Sequence, residues 1–210
     1  MQIINNQKQV DSSHYDWLKY CAKSRWCSFW HQIDEIVSLK PNSVLKVWPG
    51  AGILATILKH LGYNYKSLDI ADDLKPDYLG NVLDIPLGNN LFDVIVCFQI
   101  LEHIPYESFR IALSELFRVS KNHVIISLPD ASKLYPQILT IPKLGKINFS
   151  LPIPIKLKKH VFDGEHHWEI NKAETPLKRI KKDILEAGFK ICKTYRVFEN
   201  PYHRFFVLSK

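Results

Sequence analysis

The sequence predicts an α/β protein whose mostly parallel sheet has seven strands and is covered by helices on both faces. Short apolar runs alternate with segments whose apolar residues recur every three or four positions, which indicates strands alternating with helices. That alternation requires right-handed crossovers, so the carboxyl ends of the strands meet at one edge, where ligands bind. Only residues 199–203 join the last two strands, too few for a crossover, and this predicts a terminal antiparallel hairpin.

The predicted elements follow one another along the chain. Residues 11–39 carry aromatic side chains at helical spacing, which predicts one or two helices in an N-terminal segment, residues 1–42. Later helices are predicted at residues 54–61, from Pro105 onward, and from a cap at Thr175 and Pro176. Strands are predicted at residues 44–48, 63–70, 78–82, 92–98, 123–128, 190–198 and 205–208.

Length and composition bound the class of protein. A chain of 210 residues with 46% hydrophobic content suits one domain with a sizeable core. Residues 1–9 do not have the pattern of a signal peptide, and the four widely spaced cysteines predict neither a zinc site nor disulfides, so we expect a cytoplasmic protein. The net charge of +7 suggests an anionic partner, which can be a phosphorylated small molecule, nucleic acid or an acidic membrane surface.

An insertion interrupts the alternation after the fifth strand. Residues 131–160 hold several prolines among isolated Ile and Leu residues, a pattern that excludes a regular helix or a central strand. We interpret residues 131–170 as a lid or docking element between a cofactor-binding half, residues 43–130, and a closing helix and hairpin, residues 171–210. The alternative is an irregular excursion packed on the core. The lysines that end the insertion also allow weak contact with an anionic membrane surface.

A glycine turn comes after the first strand, in the stretch "VLKVWPGAG". Gly50 and Gly52 allow the backbone to approach a ligand closely, and the amides at the start of the next helix face that ligand. Residues 50–55 also fit the GxGxxA form of a dinucleotide fingerprint, with Asp69 near the spacing of a ribose-binding acid. An NAD-dependent enzyme is therefore one hypothesis.

Several spaced motifs occur in a second recognisable order: the glycine turn, "SLDI" ending in Ile70, "LDIP" around Asp84, and "LEH" at residues 101–103. This set resembles the class I S-adenosylmethionine-dependent methyltransferases, in particular the broad group with "LEH" after the fourth strand. The resemblance covers residues 43–130 and resumes more loosely from residue 166 to the C-terminus. It implies a Rossmann-like, doubly wound fold that uses S-adenosylmethionine as cofactor.

The resemblance also implies roles for individual residues. Gly50 and Gly52 would flank the methionine part of the cofactor, and Asp69, followed by Ile70, would accept both ribose hydroxyls, since a carboxylate offers lone pairs to two donors. The adenine would meet the Asp84 carboxylate and the Ile85 side chain, while Phe98 and Gln99 would line the reacting end of the site.

Two residues of the glycine turn depart from the family pattern. Where Lys46 stands the family usually has an acid, which attracts the cofactor's ammonium group, whereas a lysine repels it by about a kcal/mol or more. Where Trp48 stands the family has Gly, so the indole must either displace the turn or pack on the cofactor. A non-catalytic, methyltransferase-like binding or scaffold protein is therefore a second hypothesis.

The residues at the end of the fourth strand predict the class of methyl acceptor. Residues 97–100, CFQI, match neither the Asn/Asp-Pro-Pro-aromatic motif nor the Pro-Cys motif of nucleic-acid methyltransferases, so we expect transfer to an oxygen or nitrogen of a small-molecule, glycan-precursor or lipid-precursor acceptor. His103 is one candidate general base, and one histidine of the pair His166 and His167, taken as His167, is another, with Glu169 orienting it; the alternative for this second group is a capping and packing motif. His203 and Arg204 at the final hairpin are candidates to meet an anionic group of the substrate, and the alternative is that they are merely solvated there. No metal is predicted, because the spacing of His160, His166 and His167 matches no ligand pattern.

Overall fold

The structure is a computed structural model, and it describes residues 22–143, 145–154 and 156–210. The described helices are α1 (Lys23–Ser38), α2 (Ile53–His60), α3 (Phe109–Val119) and α4 (Leu177–Glu186). The described strands are β1 (Ser43–Val47), β2 (Asn64–Asp69), β3 (Tyr78–Leu79), β4 (Phe92–Phe98), β5 (Ser120–Pro129), β6 (Leu134–Ile141), β7 (Gly145–Pro152), β8 (Lys190–Arg196) and β9 (His203–Ser209). Of the helical pattern predicted at residues 11–39, the part before residue 22 lies outside the described residues, as does Cys21.

Seven of the strands form one sheet, in the order β3-β2-β1-β4-β5-β9-β8. The strands β1 to β5 pair in parallel, whereas β9 is antiparallel to both β5 and β8. The predicted α/β class, the mostly parallel sheet and the terminal antiparallel hairpin are therefore confirmed. Among the described residues, no helix has the length and apolar character needed to cross a membrane.

Helices cover both faces of this sheet. On one face, α3 and α4 place buried side chains such as Phe109 and Ile184 against Leu45 and Ile95. On the other, Ile36 of α1 and Leu58 of α2 join the side chains that β1 and β4 direct to that face, among them Val44, Val94 and Val96. Because both faces are buried, the central strands are apolar throughout rather than alternating, which makes them recognisable in the sequence. The strands β1, β2, β4 and β5 end at one edge, here called the carboxyl edge, and the residues that follow them include the half-buried Trp48 and Gln99.

The insertion contains a β-hairpin that the sequence does not predict. β6 and β7 pair with each other in an antiparallel sheet of two strands, separate from the main sheet. The prolines that argue against a central strand are Pro136, inside β6, and Pro152, at the end of β7. A two-stranded sheet tolerates them because each strand has an unpaired side that needs no backbone donor. Most side chains of both strands are exposed, so the lid role stays a prediction.

A buried ionic cluster fixes the base of the insertion. The Asp130 carboxylate accepts hydrogen bonds from Arg204 Nε (2.7 Å), Asn171 Nδ2 (2.9 Å) and the Ser132 amide (3.0 Å). Arg196 Nη1 lies 3.7 Å from the same carboxylate. Burial alone would raise the pKa of Asp130, but these partners outweigh it and hold the pKa below its ordinary value. The end of β5 is therefore tied to the chain that returns from the insertion and to the β8–β9 hairpin.

The helix α4 begins differently from the sequence prediction. Its N-cap position is Pro176, which provides no side-chain cap, and the Thr175 hydroxyl instead donates to the Glu169 carbonyl (2.5 Å). Asn171 accepts a hydrogen bond from the Leu177 amide (3.2 Å) through Oδ1 and so satisfies one of the helix's first donors. The predicted Thr175 cap is therefore wrong: the capping side chain comes from the loop before the helix.

Candidate active site

The glycine turn keeps a left-handed backbone at each of the three positions where the pattern matters. Trp48, Gly50 and Gly52 have φ values of 52°, 62° and 75°. This conformation is ordinary for glycine but costs a residue with a Cβ roughly 1–2 kcal/mol, and the following Pro49 restricts Trp48 further. A Cβ added at Gly52 would meet nothing within 4 Å, so the space beside the start of α2 is open. The backbone has therefore kept the shape of the turn although its first glycine is a tryptophan.

The Trp48 indole is half-buried and packs against the side of the core formed by α3 and α4. Its ring centroid lies 5.9 Å from that of His103, with 32° between the planes. Trp48 also donates a backbone hydrogen bond to Leu68 (2.8 Å), which ties the turn to the end of β2. The indole thus lies along the carboxyl edge and joins the glycine turn to the "LEH" residues after β4.

Lys46 is a buried cation beneath this turn. Its side chain comes from the middle of the sheet, and Nζ lies 5.2 Å from the centre of the Phe98 ring. Burial lowers the pKa of Lys46 to about 8, and the nearby Cys97 and Asp69 oppose that change only in part. At neutral pH the ammonium form still predominates, so a positive charge stands where the family has a negative one.

Asp69 ends β2 beside the turn, as the sequence predicts. Its Oδ1 accepts from the Ala71 amide (2.9 Å). Burial raises the pKa of Asp69 above its ordinary value, with hydrogen bonds from the Ala71 and Ile70 amides opposing the rise. The carboxylate is only 4% exposed, so a ligand donor that reached it would replace a costly desolvation with a hydrogen bond.

Of the remaining predicted cofactor residues, Gln99 follows a strand that ends at this edge, whereas the backbone of Ile85 is bonded to Glu115 and Arg118 in the last turns of α3. Asp84 is exposed and its amide donates to the Asn81 carbonyl (3.1 Å), whereas Ile85 is buried in the core. Gln99 comes directly after β4 with a φ of 53°, and its Nε2 donates to Ser127 Oγ (3.1 Å) at the end of β5. The Gln99 amide is thus held toward β5.

The "LEH" residues form a 3₁₀ turn after β4, in which the acid is fully buried and the histidine is half-buried. Glu102 is fully buried, and neither carboxylate oxygen has a hydrogen-bond partner in the described part of the chain. Burial raises the pKa of Glu102 to about 8, and the amides of Glu102 and Ile100, though near enough to oppose the rise, make no hydrogen bond of good geometry. Glu102 is therefore a neutral carboxylic acid at neutral pH.

His103 is half-buried at the accessible side of this turn. Its Nδ1 lies 3.0 Å from the Glu165 carbonyl, and because a carbonyl can only accept, Nδ1 carries the proton. The basic lone pair of the neutral ring is then on Nε2. Burial lowers the pKa of His103 below its ordinary value, with the bond to Glu165 opposing this, so the ring is neutral at physiological pH. Its tautomer and its pKa both suit a general base.

His166 and Glu169 meet His103 from the segment that returns from the insertion. The His103 and His166 rings are 5.0 Å apart, centre to centre. His166 Nδ1 lies 3.3 Å from Glu169 Oε1, and Tyr202 donates a short hydrogen bond to the same oxygen. The bond to His166, with those from Tyr202 and Lys172, lowers the pKa of Glu169 to about 2 despite burial. Burial opposes protonation of His166, but Glu169 and nearby carboxylates outweigh it, so the pKa of His166 is raised.

The structure thus brings together His103 and Glu169 of the predicted catalytic residues, and it places His167 elsewhere. The His167 side chain is exposed and its ring lies 4.7 Å from that of Phe162, while its amide donates to the Glu102 carbonyl (2.8 Å). Sequence reasoning missed Glu102 and Tyr202, and of the two adjacent histidines it chose His167 rather than His166. The adjacent pair of histidines gave a signal, but in an irregular loop no periodicity tells which of the two faces inward.

Two other predicted residues, His203 and Arg204, are buried or paired with other residues of the protein. Sequence position suggests that His203 and Arg204 meet an anionic group of the substrate. Arg204 is instead paired with Asp130, and His203 is buried, which lowers its pKa to about 3. The ligand atoms of Glu102, His103 and His166 lie within 4.8 Å of one another, a spacing that a cation can bridge. The expectation of no metal stays a prediction.

Known proteins support the resemblance that the sequence motifs suggest. Residues 45–128 match the sequence family Methyltransf_11, described as a methyltransferase domain. The 1,6-didemethyltoxoflavin-N1-methyltransferase of Burkholderia thailandensis, solved with 1,6-didemethyltoxoflavin and S-adenosylhomocysteine, is similar with 13% identity, a TM-score of 0.61, and coverage of 95% of this chain and 84% of the other. No curated protein sequence matches the chain.

Two further solved structures are similar over most of the chain. The PH0226 protein of Pyrococcus horikoshii OT3 has 14% identity and a TM-score of 0.58, with 95% of this chain and 99% of the other covered. The glycopeptide N-methyltransferase MtfA with S-adenosylhomocysteine has 11% identity and a TM-score of 0.56, with 85% and 88% covered. At such identities the likeness establishes the fold. The fold, the glycine turn and the match to a methyltransferase domain over residues 45–128 all agree with the resemblance to class I S-adenosylmethionine-dependent methyltransferases that was stated from the sequence motifs.

The residues present fit the nucleoside half of S-adenosylmethionine better than its methionine half. Asp69, with a buried carboxylate at the end of β2, can accept ribose hydroxyls, and the open space beside Gly52 leaves room for close backbone approach. Lys46 and Trp48 alter the other half through a buried charge and an indole. Lys46 and Trp48, the two departures from the family pattern, are therefore part of the site, but the glycine turn still has open space beside Gly52.

Proposed function

We propose that this protein transfers the methyl group of S-adenosylmethionine to an oxygen or nitrogen atom of a small-molecule, glycan-precursor or lipid-precursor acceptor. One observation carries the proposal: the turn, Asp69 and a neutral His103 of defined tautomer lie together at the carboxyl edge. The Methyltransf_11 match over residues 45–128 supports the same activity. The methyltransferases solved with S-adenosylmethionine or S-adenosylhomocysteine support that cofactor.

The chain's own residues would bind, orient and take up a proton. S-adenosylmethionine supplies a methyl group already activated on a sulfonium sulfur. Asp69 and Ile70 would hold the ribose, Asp84 and Ile85 the adenine, and the backbone of Gly50 and Gly52 the methionine part. Gln99, fixed by Ser127, would line the reacting end beside Phe98.

His103 would act as general base. As the acceptor's oxygen or nitrogen bonded to the methyl carbon, the bond from that carbon to the sulfonium sulfur would break, S-adenosylhomocysteine would leave, and the proton of the acceptor atom would pass to His103 Nε2. The Glu165 carbonyl holds the opposite ring nitrogen in its protonated form and so stabilises the resulting imidazolium. When His166 is protonated, its positive charge lowers the pKa of the neighbouring His103. The His103 ring therefore stays neutral and can act as a base.

The His166, Glu169 and Tyr202 group would position the acceptor rather than take its proton. Glu169 is ionised over the whole physiological range, and its oxygens are already shared among Tyr202, His166 and Lys172 (3.2 Å). A carboxylate with so many partners is a weak base. Two of the similar proteins, a toxoflavin-precursor N-methyltransferase and a glycopeptide N-methyltransferase, support acceptors of small-molecule or peptide-glycan type.

Binding of S-adenosylhomocysteine tests the proposal without knowledge of the acceptor. We expect isothermal titration of the full-length protein to give stoichiometric binding, and Asp69→Ala to weaken it by about a hundredfold, since a buried bidentate acceptor is lost. Asp72→Ala is the matched control, because Asp72 is an exposed acid just beyond the same strand. Absence of binding by the unaltered protein at millimolar ligand would reject the proposal.

A second candidate function, a non-catalytic binding or scaffold protein on the same fold, is favoured specifically by Lys46 and Trp48. A buried ammonium opposes the cofactor's own ammonium, and the indole adds bulk at the turn. The variant Lys46→Glu with Trp48→Gly separates the two candidates. Binding that emerges only in this double variant supports the scaffold; strong binding by the unaltered protein removes it. An NAD-dependent enzyme is tested in the same way, by titrating NADH and following its fluorescence.

A further inference from the structure

The hairpin formed by β6 and β7, here called the hairpin arm, has one apolar face that no part of the described chain covers. In the observed register, Tyr135 pairs with Leu151, Gln137 with Phe149, and Leu139 with Ile147. Directly paired residues project from the same side of an antiparallel sheet, so these side chains share one face. Five of them are large, apolar and exposed: Tyr135 at 58%, Leu139 at 50%, Ile147 at 46%, Phe149 at 42% and Leu151 at 52%.

The opposite face is more polar. It carries Thr140 paired with Lys146, Ile138 with Asn148, and Pro136 with Ser150. The arm is therefore amphipathic with the period of two that a strand requires, and its apolar side faces away from any described packing partner. An exposed patch of this kind, with polar residues around it, marks an interaction surface.

The lysines around the hairpin arm indicate which kind of partner its apolar face suits. Residues 131–160 contain six lysines and no aspartate or glutamate. Two of them, Lys143 and Lys146, lie at or next to the turn of the arm, and the others follow or precede its strands. An apolar face bordered only by positive charge is complementary to the surface of an anionic bilayer, where the apolar side chains enter the acyl boundary and the lysines reach the phosphates.

The attachment of the arm suits the same role. The Asp130 cluster holds the start of the insertion, and Arg196 donates to the Ser132 carbonyl (2.7 Å) just before β6. Farther on, the Ile153 amide donates to the Lys133 carbonyl (3.1 Å), which closes the base of the arm. The base of the arm is therefore fixed while its apolar side chains stay exposed, so these side chains are available to bind a surface.

We propose that the hairpin arm docks this protein on anionic lipid bilayers, with the face of Tyr135, Leu139, Ile147, Phe149 and Leu151 against the lipid. A second copy of the chain is a poorer occupant. Two arms packed face to face would bring together two sets of lysines with no acid in residues 131–160 of either copy, and like charges at short distance repel. The docking does not depend on the methyl transfer proposed above.

Co-sedimentation of the full-length protein with lipid vesicles tests the docking. We expect binding to vesicles of phosphatidylcholine with phosphatidylglycerol, little binding to phosphatidylcholine alone, and weakening by salt. Replacing Leu139, Ile147 and Phe149 by Gln should reduce the partition coefficient by about tenfold or more, because apolar burial and charge act together. The control is Ile138→Gln, an even more exposed apolar residue on the opposite face, for which we expect less than about a twofold change.

Three results would overturn the docking: no binding of the unaltered protein to anionic vesicles, equal binding of the triple variant, or a lipid-free dimer that the triple variant converts to a monomer. All four positions are exposed, so the variants should fold; an unchanged thermal transition confirms that they do. S-adenosylhomocysteine titration of the triple variant separates the two proposals, because the arm can fail as a lipid anchor while the cofactor still binds.

Discussion

The carboxyl edge of the sheet buries ionisable side chains, whereas the hairpin arm exposes apolar ones. Both differ from the usual distribution, in which ionisable side chains are exposed and apolar ones are buried. At the edge, Lys46 and Glu102 are buried, and no acid or base near them neutralises the cost fully. On the arm, Phe149 and Leu139 are apolar and largely exposed. Burial of ionisable groups and exposure of apolar groups both reduce the stability of an isolated domain. Each is expected where a protein meets something other than itself.

The difference between the two regions indicates different kinds of partner. The edge presents few groups, each with a defined protonation state, which suits recognition of a small ligand and movement of one proton. The arm presents area and diffuse positive charge without a defined pocket, which suits a surface. The two proposals therefore assign the chemistry and the docking on a bilayer to separate parts of one chain, with the Asp130 cluster between them.

The largest effect is expected for His103→Ala, which removes the base at the edge. With a methyl acceptor identified, we expect kcat to fall by about 10²–10⁴-fold with little change in the affinity for S-adenosylhomocysteine. The rate of the unaltered protein should fall as the pH drops below the pKa of His103, which burial places under its ordinary value of 6.5, because protonation removes the lone pair.

The control for this measurement is His60→Ala, an exposed histidine at the last residue of α2, the end of that helix opposite to the glycine turn. His167→Ala distinguishes the two adjacent histidines: a loss as large as that of His103→Ala would place the base on His167 after all. Loss of cofactor binding in His103→Ala, with kcat unchanged at saturation, would mean that His103 only completes the pocket wall.

The next largest effect is expected between the two regions, at Asp130. Asp130→Ala leaves Arg204 and Arg196 without their buried partner and should cost about 3–5 kcal/mol of unfolding free energy. The native carboxyl has a lowered pKa, so its stabilisation is present above the ordinary pKa of 3.8 and is lost as the pH falls through the native value. Urea unfolding at pH 7 measures the first effect, and the same measurement at a series of pH values below 3.8 measures the second.

The exposed Asp72 provides the comparison for that experiment, and Asp72→Ala should change stability by less than about 0.5 kcal/mol. A similarly small loss for Asp130→Ala would show that the cluster does not hold the arm. Proteolysis within the insertion, tested on the same variant, reports whether the arm loosens before the sheet unfolds.

A third and smaller effect concerns Glu102 at the edge. Its native pKa of about 8 exceeds the ordinary 4.5, so the native state holds the proton more tightly than the unfolded chain between those values, and stability falls as the pH rises through that window. Glu102→Gln removes this loss and should stabilise the protein by on the order of 2 kcal/mol at pH 8.5 and hardly at all at pH 4. Thermal melts with a chelator present measure the difference.

Glu102→Gln also tests whether the Glu102 carboxyl is without a hydrogen-bond partner. Destabilisation by Glu102→Gln at every pH would mean that the carboxylate has partners that satisfy it. A gain that is independent of pH would point to better packing of the amide. The conservative Glu169→Gln should behave oppositely, with a loss of stability above pH 4.5, because the native pKa of Glu169 is about 2.

The sheet could be predicted from the sequence because buried central strands leave an unambiguous signal. The runs at β1, β4 and β5 are apolar on both faces, and the loop before β9 is too short for a crossover. Asp69 and Gly52 could be placed for the same reason, since each comes just after a recognisable strand. The order of the motifs then indicated the family.

The rest depended on contacts between distant residues. β6 and β7 bury almost nothing, so neither the hydrophobic pattern nor the prolines distinguish this hairpin from a loop. The pairing of His166 with Glu169 and Tyr202 joins the insertion to the β8–β9 loop, and the inward choice between His166 and His167 is set by that tertiary contact. The sequence suggests a substrate as the partner of Arg204 because the actual partner, Asp130, lies far away along the chain.

The smallest expected effect concerns Trp48, where the edge itself retains a strained backbone. Trp48→Gly and Trp48→Ala both remove the indole, so the difference between them isolates the left-handed conformation at φ 52°. Trp48→Gly should be the more stable by about 1 kcal/mol, measured by urea unfolding, because alanine has a Cβ that this conformation disfavours. Equal stability would mean that the turn relaxes once the indole is gone, and that the ring, rather than the fold, imposes the conformation. A preference for glycine would instead mean that the sheet still dictates a turn suited to close ligand approach.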